Sequence, residues 1–314
     1  MSQVEASRLR AASNVHDTFA FAGARCSNAS TPRSPASSSK GDQLNSKKRR
    51  DTHIGSLNCV GVGITLGSHL TPLARNCIET ADVVFVAVSD AIVERWLEEM
   101  RPNVRSLQPL YAEGKPRQRT YREMVQAILA EVRAGKKVCV AFYGHPGVFA
   151  WAPHRAIAVA RSEGYFAHME PGISAEDCLY ADLGIDPGAV GCQHYDASQL
   201  LYWKRHIDPT AYLIVWQAGM LGNDIAAAGS AGNAACRALL AERFARDYPL
   251  DHKLIVYRAA TLPVHAPRIE RIALRRLATV RIEAPDTLVF PPVRRALPDE
   301  EMLRRVAKIV RPRA

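Results

Sequence analysis

Two short stretches hold the residues with the most to offer chemically. In the first, Tyr143-Gly144-His145-Pro146-Gly147-Val148-Phe149 ends an apolar run over residues 138–142. A strand that breaks into a Gly/Pro turn before a helix presents backbone N–H groups to a ligand at its carboxyl end. Gly144 and Gly147 remove side chains where a ligand must approach, and Pro146 stiffens the turn. Tyr143 and His145 then put two polar aromatic groups at the mouth. The same glycines would also serve a plain tight β–α turn, so this stretch alone leaves both readings open. The second stretch holds Tyr111, Arg117 and Tyr121. Arg117 and Tyr121 are four apart and share one face if a helix reaches back to Pro116. A guanidinium and tyrosine hydroxyls can together hold an oxygen that gains negative charge. A tyrosine beside a guanidinium has a lowered pKa, which suits it to act as a base.

Such groups need a framework, and alternating strand and helix signals supply one. Leu57-Asn-Cys-Val-Gly61-Val62-Gly63 reads as a strand opening into a glycine turn. Further strands are expected at 82–88, weakly at 104–110, centrally at 138–142, and at 165–169. Between them, Thr71-Pro72 starts a helix over 73–79, and Asp90 caps one over 91–100. Thr120 is expected to cap a helix over 121–134, with Met124, Ile128 and Val132 at helical spacing and Gly135 as its stop. A helix over 152–162 follows the central turn. This alternation predicts an α/β domain with a parallel, doubly wound sheet over residues 54–171.

At Glu170-Pro171-Gly172-Ile173-Ser174-Ala175 the pattern changes, and a hinge is expected, with Ser174 capping a helix over 175–183. Strands then follow at 192–195, 211–217, 253–257, 268–274 and 287–290, with one long helix over 234–248. That predicts a second α/β domain, with a mixed sheet, over residues 172–293.

A chain of 314 residues fits two domains at roughly 100–200 residues each. No apolar run reaches the ~18 residues of a membrane helix, and the N-terminus lacks the apolar core and cleavage site of a secretory signal. Seven cysteines, none in a C-x-x-C pair and several inside apolar runs, fit small core residues in a reducing cytoplasm. The net charge of +10 sits in the tails: residues 1–53 carry nine Lys/Arg against four Asp/Glu, residues 294–314 seven against three, leaving 54–293 at +1. That distribution argues against nucleic acid as a partner. Residues 1–53 read as a disordered basic extension, and 294–314 as a basic tail with a short surface helix over 300–310. The His and Cys residues show no metal-ligand spacing, and His252 and His265 read as surface or structural.

The glycine turn, the Gly-His-Pro-Gly turn and the Glu-Pro-Gly-Ile-Ser hinge, in that order over about 120 residues, resemble the tetrapyrrole (corrin/porphyrin) methylases. A closer resemblance lies in Tyr111-Ala-Glu-Gly-Lys-Pro-Arg117-Gln-Arg-Thr-Tyr121 and Tyr143-Gly-His-Pro-Gly-Val-Phe, which are similar to the borosin α-N-methyltransferases. Met169-Glu-Pro-Gly-Ile-Ser-Ala-Glu, Ala181-Asp-Leu-Gly-Ile-Asp-Pro-Gly, Trp216-Gln217 and Tyr248-Pro-Leu-Asp-His252 agree, so the match spans about 56 to 292. The resemblance implies two α/β domains with S-adenosylmethionine in the cleft between them, S-adenosylhomocysteine as product, and iterative methylation of backbone amides in a ribosomal precursor peptide. It also implies a homodimer, which in the split type forms a heterotetramer with its precursor. In fungal members the peptide is the enzyme's own C-terminus. Here the last residues, Ala307-Lys-Ile-Val-Arg-Pro-Arg-Ala, are basic and proline-broken, and a separate precursor is expected.

Methylating an amide nitrogen requires loss of its proton and stabilisation of charge on its carbonyl oxygen, hence a base and an oxyanion site. By resemblance, Arg117, Tyr121 and Tyr143 hold the amide oxygen and Tyr111 assists N–H removal; the sequence leaves open which tyrosine takes the proton. A further tyrosine of the family, three residues before Tyr111, falls on Gln108. The resemblance sets the cofactor against Gly61, Val62, Gly63, Gly144, His145, Val148, Phe149, Ser174 and Ala175, and against Tyr212 and Gln217 of the second domain. His145 is read as turn support and cofactor packing rather than as a base. Two alternatives stand beside this reading: a small-molecule porphyrinoid methylase, and a non-catalytic cofactor- or peptide-binding relative.

Overall fold

Five short stretches become the strands of a fully parallel sheet: β1 (Ser56–Gly61), β2 (Val83–Ala87), β3 (Val104–Ser106), β4 (Lys137–Phe142) and β5 (Phe166–Glu170). They lie in the order β3-β2-β4-β1-β5. The computed structural model describes residues 55–310 apart from 89, 113 and 223–232. The basic extension expected over 1–53 and the last residues of the tail lie outside the described residues. Four helices cover the sheet: α1 (Pro72–Glu79), α2 (Ala91–Met100), α3 (Arg117–Arg133) and α4 (Trp151–Ser162). Their starts follow local chemistry. Thr71 accepts from the Ala74 N–H ahead of Pro72, and Asp90 accepts from the Ile92 N–H.

Alternate residues of a strand face opposite sides, so the central strands β1, β2 and β4 feed two cores. Leu57, Cys59, Val138 and Val140 pack under α3 and α4 with Ile128, Val132, Ala156 and Ala160. Val60, Cys139 and Ala141 pack under α1 and α2 with Ile78 and Leu97. Each large aliphatic side chain so buried contributes about 1.5–3 kcal/mol.

Two expectations need correction here. Thr120 does not cap α3: it is fully buried inside the helix, with its hydroxyl 3.4 Å from the Leu110 carbonyl. The helix starts at Arg117 because Pro116, at φ −60° and ψ 132°, holds the chain extended just before it. The third strand stops at Ser106, and a 3₁₀ turn over Gln108–Leu110 replaces its second half. Pro109, lacking an N–H, cannot continue a ladder.

After β5 the chain enters α5 (Ala175–Leu183) and the short α6 (Pro187–Val190), then builds a second sheet. This comprises β6 (Cys192–Asp196), α7 (Ala197–Tyr202), β7 (Tyr212–Trp216), α8 (Ala234–Phe244), β8 (Lys253–Arg258), β9 (Arg268–Ala273) and β10 (Thr287–Phe290). The strand order is β6-β7-β10-β8-β9, with β6 and β7 parallel and the other pairs antiparallel. The sheet is therefore mixed, as the sequence predicts. Leu200, Leu240 and Phe244 from α7 and α8 pack on one face, and Leu179 of α5 on the other. The helix expected over 234–248 ends at Phe244 and turns toward Tyr248. The final helix, α9 (Glu300–Val310), buries no residue. Among the described residues no helix is long and apolar enough to cross a membrane.

Candidate functional site

The three glycine-bearing turns, far apart in sequence, meet at one point beyond the carboxyl ends of β1 and β4. A Cβ on Gly61 would lie 2.2 Å from the Gly144 carbonyl oxygen and 2.9 Å from Gly172 Cα. A Cβ on Gly172 would lie 2.5 Å from the same oxygen. Backbone thus packs directly on backbone, which only glycine permits. Gly63 and Gly144 also exchange N–H···O bonds of 3.2 and 2.9 Å. From β1 the chain runs toward β2 and from β4 toward β5, on opposite sides, so this is the topological switch point of the sheet, where α/β folds bind ligands.

A cavity of about 320 Å³ opens beside this junction, within the range of small-molecule sites. Tyr143, Gly144, His145, Val148, Phe149, Ser174 and Ala175 line it from the first sheet and α5, Tyr111 from the end of the 3₁₀ turn, Tyr121 from the first turns of α3, and Gln217 from the end of β7. A second cavity of about 600 Å³ shares Tyr143, Ala175, Pro285 and Thr287 with it, so the two form one cleft between the sheets.

The remaining expected residues stand apart from this lining. Gly61, Val62 and Gly63 are buried one layer below and support Gly144, while Ile64 takes the lining place. Tyr212 does not reach the cavity. It starts β7, whose other end reaches the cleft, and packs instead with Leu179 and Ile214. Arg117 stands beside Tyr111, its Nη2 3.7 Å from Met220 Sδ and its Nε buried with no partner among the described residues. The helix does reach back far enough for Arg117 and Tyr121 to share a face.

Several side chains are braced locally. His145 Nδ1 accepts from the Gly147 N–H at 2.9 Å, holding the turn. Ser174 caps α5, accepting from the Glu176 and Asp177 N–H groups while the Asp177 carboxylate accepts from the Ser174 N–H. Phe149 and Gln217 hold φ values of +51° and +57°, a strained region for non-glycine residues, and both line the cleft. Burial, with the neighbouring Tyr121 hydroxyl, pushes Tyr111 above the usual phenol range, and Arg117 offsets this only in part. The lowered tyrosine pKa expected from the nearby guanidinium is therefore overturned: desolvation outweighs the charge. Burial pushes the Tyr143 hydroxyl up to about 12, with Cys178 and Asp90 adding to it.

Residue patterns missed Trp216, Glu176 and Asp286, which also line the first cavity. Asp286 is fully buried, taking Arg258 Nε at 2.8 Å and Arg268 Nη1 at 2.7 Å. The lining thus holds two carboxylates and no Lys or Arg. Asp286 is neutralised by its two arginines, and the turn bare of side chains at Gly144, the aromatic wall and the Glu176 carboxylate are compatible with S-adenosylmethionine, a sulfonium cation with an adenosine.

The model of the family described as Tetrapyrrole (Corrin/Porphyrin) Methylases matches residues 56–278. The chain belongs to the tetrapyrrole methylase family. Its sequence relatives include a Coprinopsis marcescibilis protein named as a methyltransferase/ribosomally synthesized type I borosin cyclic peptide precursor, 42% identical over 76% of this chain and 62% of that protein. The Omphalotus olearius methyltransferase/omphalotin A precursor is 37% identical over 81% and 62%, respectively. A type III borosin precursor from Anomoporia bombycina is 40% identical over 76% of this chain and 28% of its own length. The borosin resemblance read from the motifs is thus borne out. The chain spans about three fifths of the length of the first two relatives, 62% in each. Among solved structures, cobalt precorrin-4 methyltransferase superposes with a TM-score of 0.54 at 17% identity, covering 76% of this chain and 95% of that one. Uroporphyrin-III-C-methyltransferase from Thermus thermophilus gives 0.52 at 20% identity, covering 76% and 93%. These two share the fold.

Proposed function

We propose that this tetrapyrrole methylase is an S-adenosylmethionine-dependent methyltransferase that iteratively N-methylates backbone amides of a ribosomal precursor peptide. The observation that carries this reading is the grouping of Tyr111, Tyr121 and Tyr143 in one cleft, with the unpartnered Nε of Arg117 next to it. Hydroxyls and a guanidinium suit the polarised oxygen of a neutral amide. A polyacidic porphyrinoid ring would call for free cationic side chains, whereas the cleft arginines Arg258, Arg268 and Arg281 are paired with Asp286, Glu270 and Glu283.

In this mechanism Gly144, His145, Val148, Phe149, Ser174, Ala175 and Gln217 would hold the cofactor, whose sulfonium centre would supply the methyl group and whose neutral thioether product would be S-adenosylhomocysteine. Arg117, Tyr121 and Tyr143 donate to the substrate's amide oxygen and stabilise the imidate-like charge that forms as the N–H bond breaks. The Tyr111 phenolate, the minor form at neutral pH because burial raises its pKa, takes that proton and becomes the neutral phenol. Aromatic walls exclude water, which strengthens each of these charge-dependent contacts.

We carry forward the expectation that the peptide sits on a separate precursor, bound by a cytoplasmic homodimer as a heterotetramer. The relatives are named as fused precursors, so the test keeps enzyme and peptide on separate chains. Candidate precursor and enzyme are co-expressed, the precursor is sequenced by tandem mass spectrometry, and light scattering reports the stoichiometry. Successive methyl increments on backbone nitrogens, absent with Arg117→Ala and Tyr143→Phe, are the expected result. An unmodified peptide alongside turnover of a porphyrinoid by the same enzyme would overturn the proposal.

A further inference from the structure

Behind the cleft wall lies a hydrogen-bonded row that the mechanism above does not use. Trp216 ends β7, is almost fully buried, and faces the cavity with its ring 5.4 Å from Phe149. Its Nε1–H donates to His194 Nδ1 at 3.1 Å, and the two ring planes are within 15° of parallel. On the other side of the imidazole, His194 Nε2 stands 2.8 Å from the Tyr180 hydroxyl. That hydroxyl is 3.1 Å from Glu176 Oε1, and Glu176 lines the cavity again.

One proton arrangement satisfies every contact. An indole N–H can only donate, so Nδ1 must keep its lone pair. Neutral His194 then carries its proton on Nε2 and gives it to Tyr180, whose own O–H points to the Glu176 carboxylate. Adding a second proton to His194 would set N–H against N–H at Trp216. The row therefore runs from one cleft-lining side chain to another and works in one direction only.

We infer that His194 is a positioning residue: as a neutral imidazole it fixes Trp216 against Phe149 and so shapes the aromatic wall that receives the cofactor. The cofactor half of this statement rests on the proposed function; the hold on Trp216 does not. Titratable groups facing His194 are Glu176 and Tyr180 from α5 and Cys192 on its own strand, while β7 contributes only the indole. Burial holds His194 below the usual imidazole range, with Glu176 opposing. The neutral form is accordingly the one present at neutral pH, and the wall loosens only as pH falls through the lowered His194 pKa, on the acid side of the usual imidazole range.

The test uses the full chain labelled with ¹⁵N in its four tryptophans, Trp216 being assigned with Trp216→Phe, and calorimetric titration with S-adenosylhomocysteine. His194→Phe, which removes the acceptor, is expected to shift the Trp216 indole resonance and weaken binding about tenfold or more. His194→Asn keeps an oxygen acceptor near the Nδ1 position but does not titrate. It is expected to retain the indole shift, bind within about threefold of wild type, and lose the acid-side weakening that wild type shows. The proposal is overturned if folded His194→Phe leaves both the resonance and the affinity unchanged. Should that variant fail to fold, an acid limb that persists in His194→Asn overturns it instead. Wild type that binds no S-adenosylhomocysteine, with the indole still responding to His194, would sink the proposed function and the cofactor half of this inference together.

Discussion

Arg117 carries the clearest prediction at the scale of single residues. Its Nε is buried beside the cleft without a partner, and an unmet donor costs free energy unless a substrate acceptor arrives. Arg117→Ala should lower the rate about 100–1,000-fold, the loss usual for one oxyanion donor, with much less effect on cofactor affinity. Arg117→Lys should not rescue it, because a lysine lacks the planar fork. Single-turnover rates beside S-adenosylhomocysteine binding check both statements. The phenols set the pH dependence. With Tyr111 held above the usual range and Tyr143 near about 12, each is neutral at pH 7, and the ionised fraction grows tenfold per pH unit. If a phenolate takes the amide proton, the chemical rate should climb with pH through about 10 without a plateau. Tyr111→Phe should flatten that climb; a wild-type rate already level between pH 7 and 9 would exclude a tyrosine base.

Among the elements, the turns after β1, β4 and β5 behave as one unit. Both Gly61 and Gly172 face the Gly144 carbonyl, at 2.2 and 2.5 Å from a hypothetical Cβ. Either Gly→Ala change forces the same two turns apart, so each should cost about 1–3 kcal/mol as overpacking does. The double variant should cost clearly less than the sum, since the first substitution has already opened the gap the second needs. Thermal unfolding of the two single variants and the double variant decides; strict additivity would mean that the turns yield independently. Neither Gly61 nor Gly172 is at left-handed φ, so the cost of each substitution is steric alone.

On the scale of the whole molecule, the cleft is built by both sheets: Tyr143 and Gly144 come from one, Trp216 and Gln217 from the other. A ligand held there touches both halves, and it stabilises only the state in which they face each other. S-adenosylhomocysteine at about 100 times its dissociation constant should add roughly 2.7 kcal/mol. For a chain of this size that raises the melting temperature by about 5 °C or more. Calorimetry with increasing ligand checks this, and no shift at any concentration would remove the cofactor assignment.

Much of this architecture is legible in the sequence because its causes are local. Apolar runs, the Thr71-Pro72 start, the Asp90 and Ser174 caps and the switch from parallel to mixed strands all rest on neighbours a few residues apart. So does the pairing of Arg117 with Tyr121 on one helix face, which needs only 3.6 residues per turn. The residues that pattern reading missed or misassigned depend on distant partners. Trp216 reads as strand core until His194 and Phe149 are seen beside it, and Tyr212 reads as a cleft residue until β7 is seen to point its other end there. Gly61 and Gly172 are separate turns in sequence and a single contact in space. The direction of the Tyr111 shift followed the same division. A guanidinium six residues away is visible in the chain, but the burial that outweighs it exists only once Tyr111 packs against the core of the first sheet, because desolvation is set by everything packed around a group.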